Sequence, residues 1–140
     1  MGNRAVITLD NKTGIYLHWN GGRDSVEAFL KYCKLRGFRQ DSYGLARLTQ
    51  VITNFIGGGL SVGVGNLSSL DCDNYDNGLY VVEDWKIVKR EFFDDRTEQD
   101  EYDINEMLFA IDEKQPEDDR LFNKKELVEE KIKELEESKE

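Results

Sequence analysis

The stretch HWNGGRDSVEAFLKYC, at residues 18–33, gathers residue types that most readily support chemistry. His18 is the only histidine in the sequence, and Gly21 and Gly22 lie between a short apolar segment and an amphipathic one. Unpaired N–H groups at a helix N-terminus, followed here by Arg23, attract a phosphate. The stretch therefore admits three interpretations: a phosphate cradle, an active-site corner or a turn.

The surrounding residues favour the turn. Asp24 is placed to bind the same N–H groups with its own carboxylate, and Asp24 with Glu27 has the spacing of a capping box. Neither the G-x-G-x-x-G fingerprint nor a Lys-Ser/Thr pair follows the glycines. The alternative is a binding site for a small anionic metabolite or nucleotide signal, formed by His18, Gly21, Gly22, Arg23, Arg39 and Arg47.

Nucleophilic and metal chemistry have little support in the sequence. A single imidazole excludes a His-based metal cluster and leaves one candidate general base. Cys33 has the spacing of a core residue, and no G-x-S-x-G elbow is present. A calcium loop beginning at Asp73 fails, because Tyr75 occupies a ligand position and Asp84 replaces the bidentate glutamate. We expect no catalytic residue, no metal and no cofactor, with His18 hydrogen-bonded on the open face of a sheet.

The charge distribution is the main indication of a partner. The 140 residues carry a net charge of −10, but residues 1–66 contain 8 Lys and Arg against 4 Asp and Glu, whereas residues 67–140 contain 11 against 25. An acidic surface repels nucleic acid and attracts proteins that bind it. We therefore expect a nucleic-acid-binding protein of the host as the partner, with no direct contact to nucleic acid.

Acidic residues of the second half define the expected partner surface. Carboxylates that lie where phosphates would lie mimic a nucleic acid backbone, and association is then fast at low salt. An exposed tyrosine among carboxylates has the composition of an interface hot spot. The surface is formed by Asp71, Asp73, Tyr75, Asp76, Asp94, Asp95, Asp100 and Glu101.

The first half of the chain predicts a hairpin followed by two helices. RAVITL and IYLHW, separated by DNKTG, read as two strands in which Ile15, Leu17 and Trp19 share one face. An amphipathic helix follows from Asp24 and stops at Gly37. A second helix runs over about 42–55, and a triple glycine ends it.

The second half predicts further strands and two short helices. LSVGVG, at residues 60–65, reads as a strand whose glycine face is crowded by a close neighbour. Residues 79–93 form a hairpin that turns near Glu83 and Asp84. DINEMLFAID, which opens with Asp103 and Glu106 at capping-box spacing, forms a short helix, and residues 123–140 form a last helix. Most aromatic residues read as core, namely Trp19, Tyr43, Tyr80, Trp85, Phe92 and Phe93.

These elements predict an α+β fold, with an antiparallel sheet of about five strands packed on two amphipathic helices, and with C-terminal helices. We expect a single α+β domain over residues 1–112 and an acidic C-terminal helix or tail over residues 113–140. No apolar run reaches the roughly 20 residues that cross a bilayer, and a signal peptide pattern is missing. A cytoplasmic protein without membrane contact is expected, and a homo-oligomer stays open.

YLHWNGGRDSVEAFLKYC together with DNYDNGLYVVEDWKIVKREFF resembles a type of uncharacterised small accessory protein found in phages, plasmids and integrative elements of Gram-positive bacteria. The resemblance covers Arg4 to about Phe93. It implies a protein that binds and blocks a host factor, including defence nucleases in the manner of an anti-CRISPR inhibitor. Combined with the acidic surface, it leads to the hypothesis of a non-enzymatic inhibitor that mimics a phosphate backbone.

Overall fold

The computed structural model describes residues 3–57, 61–74, 76–92, 103–122 and 128–138. Its elements in chain order are β1 (Ala5–Thr8), β2 (Thr13–Leu17), α1 (Arg23–Leu35), α2 (Ser42–Ile56), β3 (Val62–Asn66), β4 (Leu79–Glu83), β5 (Lys86–Glu91), α3 (Ile104–Glu113) and α4 (Val128–Ser138). Short 3-10 turns lie at Leu67–Ser69 and Glu117–Asp119. The predicted α+β class and the five strands are confirmed.

The five strands form one sheet in the order β3-β2-β1-β4-β5. Three neighbouring pairs are antiparallel, as predicted, but β1 and β4 run parallel, so the sheet is mixed. The prediction of a wholly antiparallel sheet is wrong at this pair. The reason is that the chain after β3 returns to the end of the sheet where β1 begins, and β4 starts there. β4 therefore runs in the same direction as β1.

One face of the sheet packs against the helices and forms the main core. Strand alternation directs every second side chain to this face, and α1 adds an apolar stripe at helical spacing. The buried side chains that meet here include Ala5, Ile7, Ile15, Leu17, Val26, Phe29, Leu30, Cys33, Leu48, Ile52, Tyr80 and Val82.

The opposite face of the sheet is covered by the connection between β3 and β4. Leu67, Leu70 and Cys72 from this connection pack against Val6 and its strand neighbours. The connection lies close to the sheet because Gly14 lacks a side chain: a Cβ there would be 2.9 Å from Leu70 Cδ1. Both faces of the central strands are therefore buried.

The start of α1 differs from the sequence prediction. The residue that caps the helix is Gly22, without a side-chain hydrogen bond, and Asp24 lies inside the first turn. The predicted capping box is thus wrong, because Glu27 instead accepts a hydrogen bond from Arg23 Nε at 2.6 Å. Asp103, by contrast, caps α3 as its sequence predicts, accepting from the N–H of Glu106 at 3.1 Å.

The prediction of aromatic core residues holds only in part. Tyr80 and Trp85 are buried, but Trp19, Tyr43 and Phe92 are 45%, 61% and 55% exposed. Trp19 follows the last residue of β2, so strand alternation no longer directs it to the face of Ile15.

A buried carboxylate joins the C-terminal part of the chain to α1. Asp112, on α3, accepts a hydrogen bond from the Tyr32 hydroxyl at 2.5 Å and from the backbone N–H groups of Leu121 and Phe122 at 2.8 and 2.9 Å. Burial, and then the hydrogen bond to Asp112 and its negative charge, raise the pKa of Tyr32. The tyrosine therefore remains a neutral donor.

Part of the predicted acidic C-terminal helix or tail docks on the domain. Helix α4 packs against α1 and α3, and its residues Val128 and Ile132 are buried in the main core. Residues 123–127, 139 and 140, which belong to the same predicted helix, lie outside the described residues. None of the described helices combines the length and apolar character needed to cross a membrane.

Replacing Tyr32 with phenylalanine removes one donor from the buried carboxylate of Asp112. We expect Tyr32→Phe to lower the free energy of unfolding by about 1.5 to 3 kcal/mol, the usual range for a hydrogen bond to a charged group. Urea denaturation followed by far-UV circular dichroism measures this. The matched control is Tyr43→Phe, whose hydroxyl is exposed, and an equal loss in both variants would contradict the role of Asp112.

Candidate functional site

The predicted acidic surface is only partly open in the structure. Asp71 and Asp73 are exposed, but Asp76 accepts hydrogen bonds from the Arg4 backbone N–H at 3.1 Å and from Arg4 Nε at 2.8 Å. Arg4 Nη1 also lies 3.8 Å from Asp71. Arginine from the basic half therefore neutralises part of the loop, and Asp73 alone of the three makes no ion pair with a described residue.

The five remaining residues of the predicted partner surface lie outside the described residues. These are Tyr75, Asp94, Asp95, Asp100 and Glu101. The described residues on either side of Tyr75 are joined by hydrogen bonds. Asn74 Oδ1 accepts from the backbone N–H groups of Asp76 and Gly78 at 3.1 and 3.0 Å. This arrangement is that of an Asx-type turn.

The Arg4 contact changes the titration of Asp76. Partial burial by itself raises the pKa of Asp76, but the hydrogen bonds from the Arg4 side chain and backbone, with the Arg4 charge, outweigh it and lower the pKa below its usual value. The carboxylate is thus held in its charged form against strand β1.

A larger acidic surface lies on the C-terminal helices. Residues 103–122 and 128–138 contain twelve Asp and Glu against four Lys and Arg. Six exposed carboxylates make neither an ion pair nor a hydrogen bond with a described residue: Glu113, Glu117, Asp118, Glu130, Glu134 and Glu137. We call these six residues the C-terminal acidic surface. Sequence reasoning missed it as a site, although the charge count of the last forty residues was a sufficient signal.

The Gly-Gly corner is formed by Gly21 and Gly22. In the structure, Gly21 makes hydrogen bonds with other parts of the protein. Gly21 donates to the Asn3 carbonyl at 2.8 Å and accepts from the Tyr80 hydroxyl at 2.7 Å. A Cβ at Gly21 would lie 2.5 Å from the Asn3 carbonyl oxygen. The glycine is therefore explained by the close approach of the chain before β1.

His18 lies beside the same corner in a structural arrangement. Its Nδ1 is 3.0 Å from the hydroxyl of Tyr16, and its ring meets Trp19 edge to face at 5.0 Å. Cys33 is fully buried, and burial raises the pKa of its thiol. The prediction stands that His18 is a hydrogen-bonded residue of the sheet, since no described nucleophile contacts it.

The arginines of the alternative anion site do not converge on this corner. Arg23 pairs with Glu27, while Arg39 pairs with Asp41 at 3.1 Å and stacks over the ring of Tyr43 at 4.6 Å. Arg47 lies on α2 and lines a hollow of about 370 Å³ with Arg36 and Asp119. No contact within the described ranges joins Arg39 or Arg47 to Gly21, Gly22 or His18.

A different set of cations surrounds a cleft in the described part of the chain. This cleft, of about 590 Å³, lies between α1 and β5, and its apolar floor consists of Leu30, Leu35, Trp85, Ile87 and Ile104. Its polar rim consists of Lys31, Lys34, Lys86, Glu27 and Glu136. We call it the lysine cleft. The sequence could not indicate it, because Lys86 lies fifty residues from the other two and only the fold brings them together.

The ion pairs around the lysine cleft are long. Lys31 Nζ lies 3.9 Å from Glu136, and Lys34 Nζ lies 3.5 Å from Asp84. Lys86 is exposed and makes no ion pair with a described residue. An apolar floor with a few charged groups at its rim is the usual composition of a site that binds a small molecule.

Comparison with known proteins gives no relative from which a function is transferred. No family model matches the chain, and no curated protein or solved structure is significantly similar to it. Within the described residues, no group of three or more His, Cys, Asp or Glu is placed to hold a metal ion. The functional inference therefore rests on the geometry and the charge of the chain itself.

Neutralising Asp76 tests whether the Arg4 contact is a stabilising part of the fold. A carboxylate with a lowered folded pKa stabilises the protein above its unfolded pKa of about 3.9, and this is lost as pH falls through the folded value. We therefore expect Asp76→Asn to be less stable than the wild type at pH 7, with the difference shrinking below about pH 4.

Urea unfolding at a series of pH values measures this difference. Asp73→Asn is the control, since Asp73 is exposed without an ion pair to a described residue. A stability difference for Asp76→Asn that is as large at pH 3 as at pH 7 would contradict the ionic contribution of the Arg4 contact.

Proposed function

We propose that this protein is a non-enzymatic inhibitor that binds the basic nucleic-acid channel of a host protein through carboxylates. The observation that carries the proposal is the C-terminal acidic surface, where exposed carboxylates greatly outnumber cations. Asp71 and Asp73 add exposed negative charge on the β3–β4 connection. The pairing of Asp76 with Arg4 moves the centre of the proposed surface from this loop to α3 and α4.

The mechanism is competition between carboxylates and phosphates for the same cationic groups. Glu130, Glu134 and Glu137 lie at i, i+4 and i+7 of α4, so one helix face presents them in a row. A row of fixed negative charge accelerates encounter with a basic channel, and added salt screens it. The rigid attachment of α4 through Val128 and Ile132 keeps the row in place, which reduces the entropy lost on binding.

The cellular setting is part of the same proposal. The resemblance of the sequence to accessory proteins of Gram-positive phages and mobile elements favours a partner among bacterial defence factors, including CRISPR nucleases. The protein then acts in the bacterial cytoplasm, where these factors act. It needs no cofactor and contacts neither nucleic acid nor membrane directly.

Neutralising the α4 row tests the proposal directly. The immobilised protein should retain nucleic-acid-binding proteins from a bacterial lysate, and duplex DNA or heparin should release them, because both compete for the same cationic channel. The triple variant Glu130→Gln, Glu134→Gln and Glu137→Gln should retain at least about tenfold less, since each lost charge weakens a screened attraction.

The matched control neutralises Asp24, Glu83 and Glu91, which changes the net charge equally at other places on the surface. A second variant that neutralises Asp94, Asp95, Asp100 and Glu101 measures how much these four predicted surface residues contribute to binding. If duplex DNA does not release the retained proteins, or if the α4 variant and the control bind alike, phosphate mimicry is wrong.

A second candidate function is the binding of a small anionic metabolite or nucleotide signal. The observation that favours it is the lysine cleft, whose three lysines surround an apolar floor. The Gly-Gly corner is less favoured, because Gly21 already makes two hydrogen bonds within the protein. The ligand combines an apolar or aromatic body with a carboxylate or phosphate group.

A thermal shift screen with such anions tests the second candidate. A ligand at 100 times its dissociation constant stabilises the protein by about 2.7 kcal/mol. Lys86→Gln should abolish the shift, whereas Lys89→Gln on the same strand should retain it, because Lys89 pairs with Glu91 outside the cleft. The absence of any shift across nucleotides, aromatic carboxylates and acyl phosphates would exclude this function.

A further inference from the structure

The two edge strands of the sheet are built differently. On β5, charged side chains occupy most positions, and a register irregularity lies opposite Val81 and Val82. Charges and irregular pairing are the usual protection of an edge strand against pairing with another chain. β3 has the sequence VGVGN, without a charge or a proline. One edge of the sheet is therefore protected and the other is not.

The backbone of β3 presents hydrogen-bonding groups at its outer edge. The Ser61 carbonyl accepts from His18 N–H at 2.9 Å, and the Leu67 N–H donates to the Lys12 carbonyl at 2.8 Å. Since inward and outward groups alternate along an antiparallel strand, Val62, Val64 and Asn66 direct their N–H and C=O groups away from β2. No strand formed by described residues pairs with these groups.

The glycines of β3 have no explanation within the described structure. The sequence predicts that a close neighbour crowds them, yet no described atom lies within 4 Å of a Cβ built at Gly63, and Leu70 is at an ordinary 3.8 Å from one at Gly65. Neither glycine has a positive φ. Glycine weakens a strand and often marks the close approach of another backbone. The prediction that a close neighbour crowds this glycine face is therefore wrong for the described residues.

The surroundings of β3 are uncharged, although the protein as a whole is strongly charged. Residues 42–70, which include α2 and β3, contain one charged residue, Arg47. Val64 is 53% exposed. Depletion of charge with exposed apolar residues is typical of the centre of a protein interface. Two copies with a net charge of −10 each would meet here with the least repulsion.

We propose that β3 pairs antiparallel with β3 of a second copy of this chain, about a two-fold axis at Val64. In this register Val64 lies opposite its own counterpart, Gly63 lies opposite Gly65, and Val62 lies opposite Asn66. All three outward-facing residues then exchange backbone hydrogen bonds across the axis. The neutral strand suits a neutral partner such as itself, whereas a charged peptide would find no complementary charge on β3.

Substitution of two matched valines tests the dimer. Val64 on β3 and Val88 on β5 are both 53% exposed. Sedimentation equilibrium of the wild type should give a dimer of the 16.2 kDa chain, which added salt does not weaken. Val64→Lys should raise the dimer dissociation constant at least about tenfold, because the two lysines face each other across the axis. Val88→Lys should leave it unchanged.

A second variant guards against a folding defect. Val64→Pro removes one outward N–H without touching the bonds to β2, and proline is tolerated at such edge positions. It should also weaken the dimer, with far-UV circular dichroism reporting an intact fold. A monomeric wild type at every concentration overturns the proposal. So does a dimer that Val64→Lys and Val88→Lys affect equally, since that dimer would use another surface.

Discussion

The packing of α3 and α4 on the rest of the protein depends on one buried carboxylate, that of Asp112. Asp112 is buried, so its charge is stabilised only if protein donors surround it. Tyr32 from α1 and two backbone N–H groups from the following turn supply those donors. The same contact therefore fixes the orientation of α3 on α1 and the path of the chain toward α4. The position of the C-terminal acidic surface follows from this contact.

Charge is distributed unevenly over the folded surface. Glu136 of α4 lies at the rim of the lysine cleft, whereas Glu130, Glu134 and Glu137 lie on another face of the same helix. The region of α2 and β3 is nearly without charge. The two proposed functions and the proposed dimer would therefore use different places on the surface. The surfaces do not compete, because different residues form them.

Sequence patterns gave correct predictions for features that form within one helix or strand. They gave wrong predictions for features that depend on contact between two elements. The periodicity of 42–55 and the cap at Asp103 gave correct helices, since local backbone geometry decides both. The capping box at Asp24 was wrong because the chain before β1 approaches Gly21 and sets where α1 begins. The predicted acidic loop was likewise correct as a loop, but Arg4, the residue before β1, neutralises Asp76.

The sequence alone determined the α+β class, the five strands, the helices and the excess of carboxylates after residue 66. These properties depend on composition and on spacing along the chain, which folding does not alter. Only the tertiary structure decided that β4 runs parallel to β1, that Lys86 joins Lys31 and Lys34, and that the outer edge of β3 has no partner among the described residues. Such contacts join residues that are distant in the chain, so no local sequence pattern predicts them.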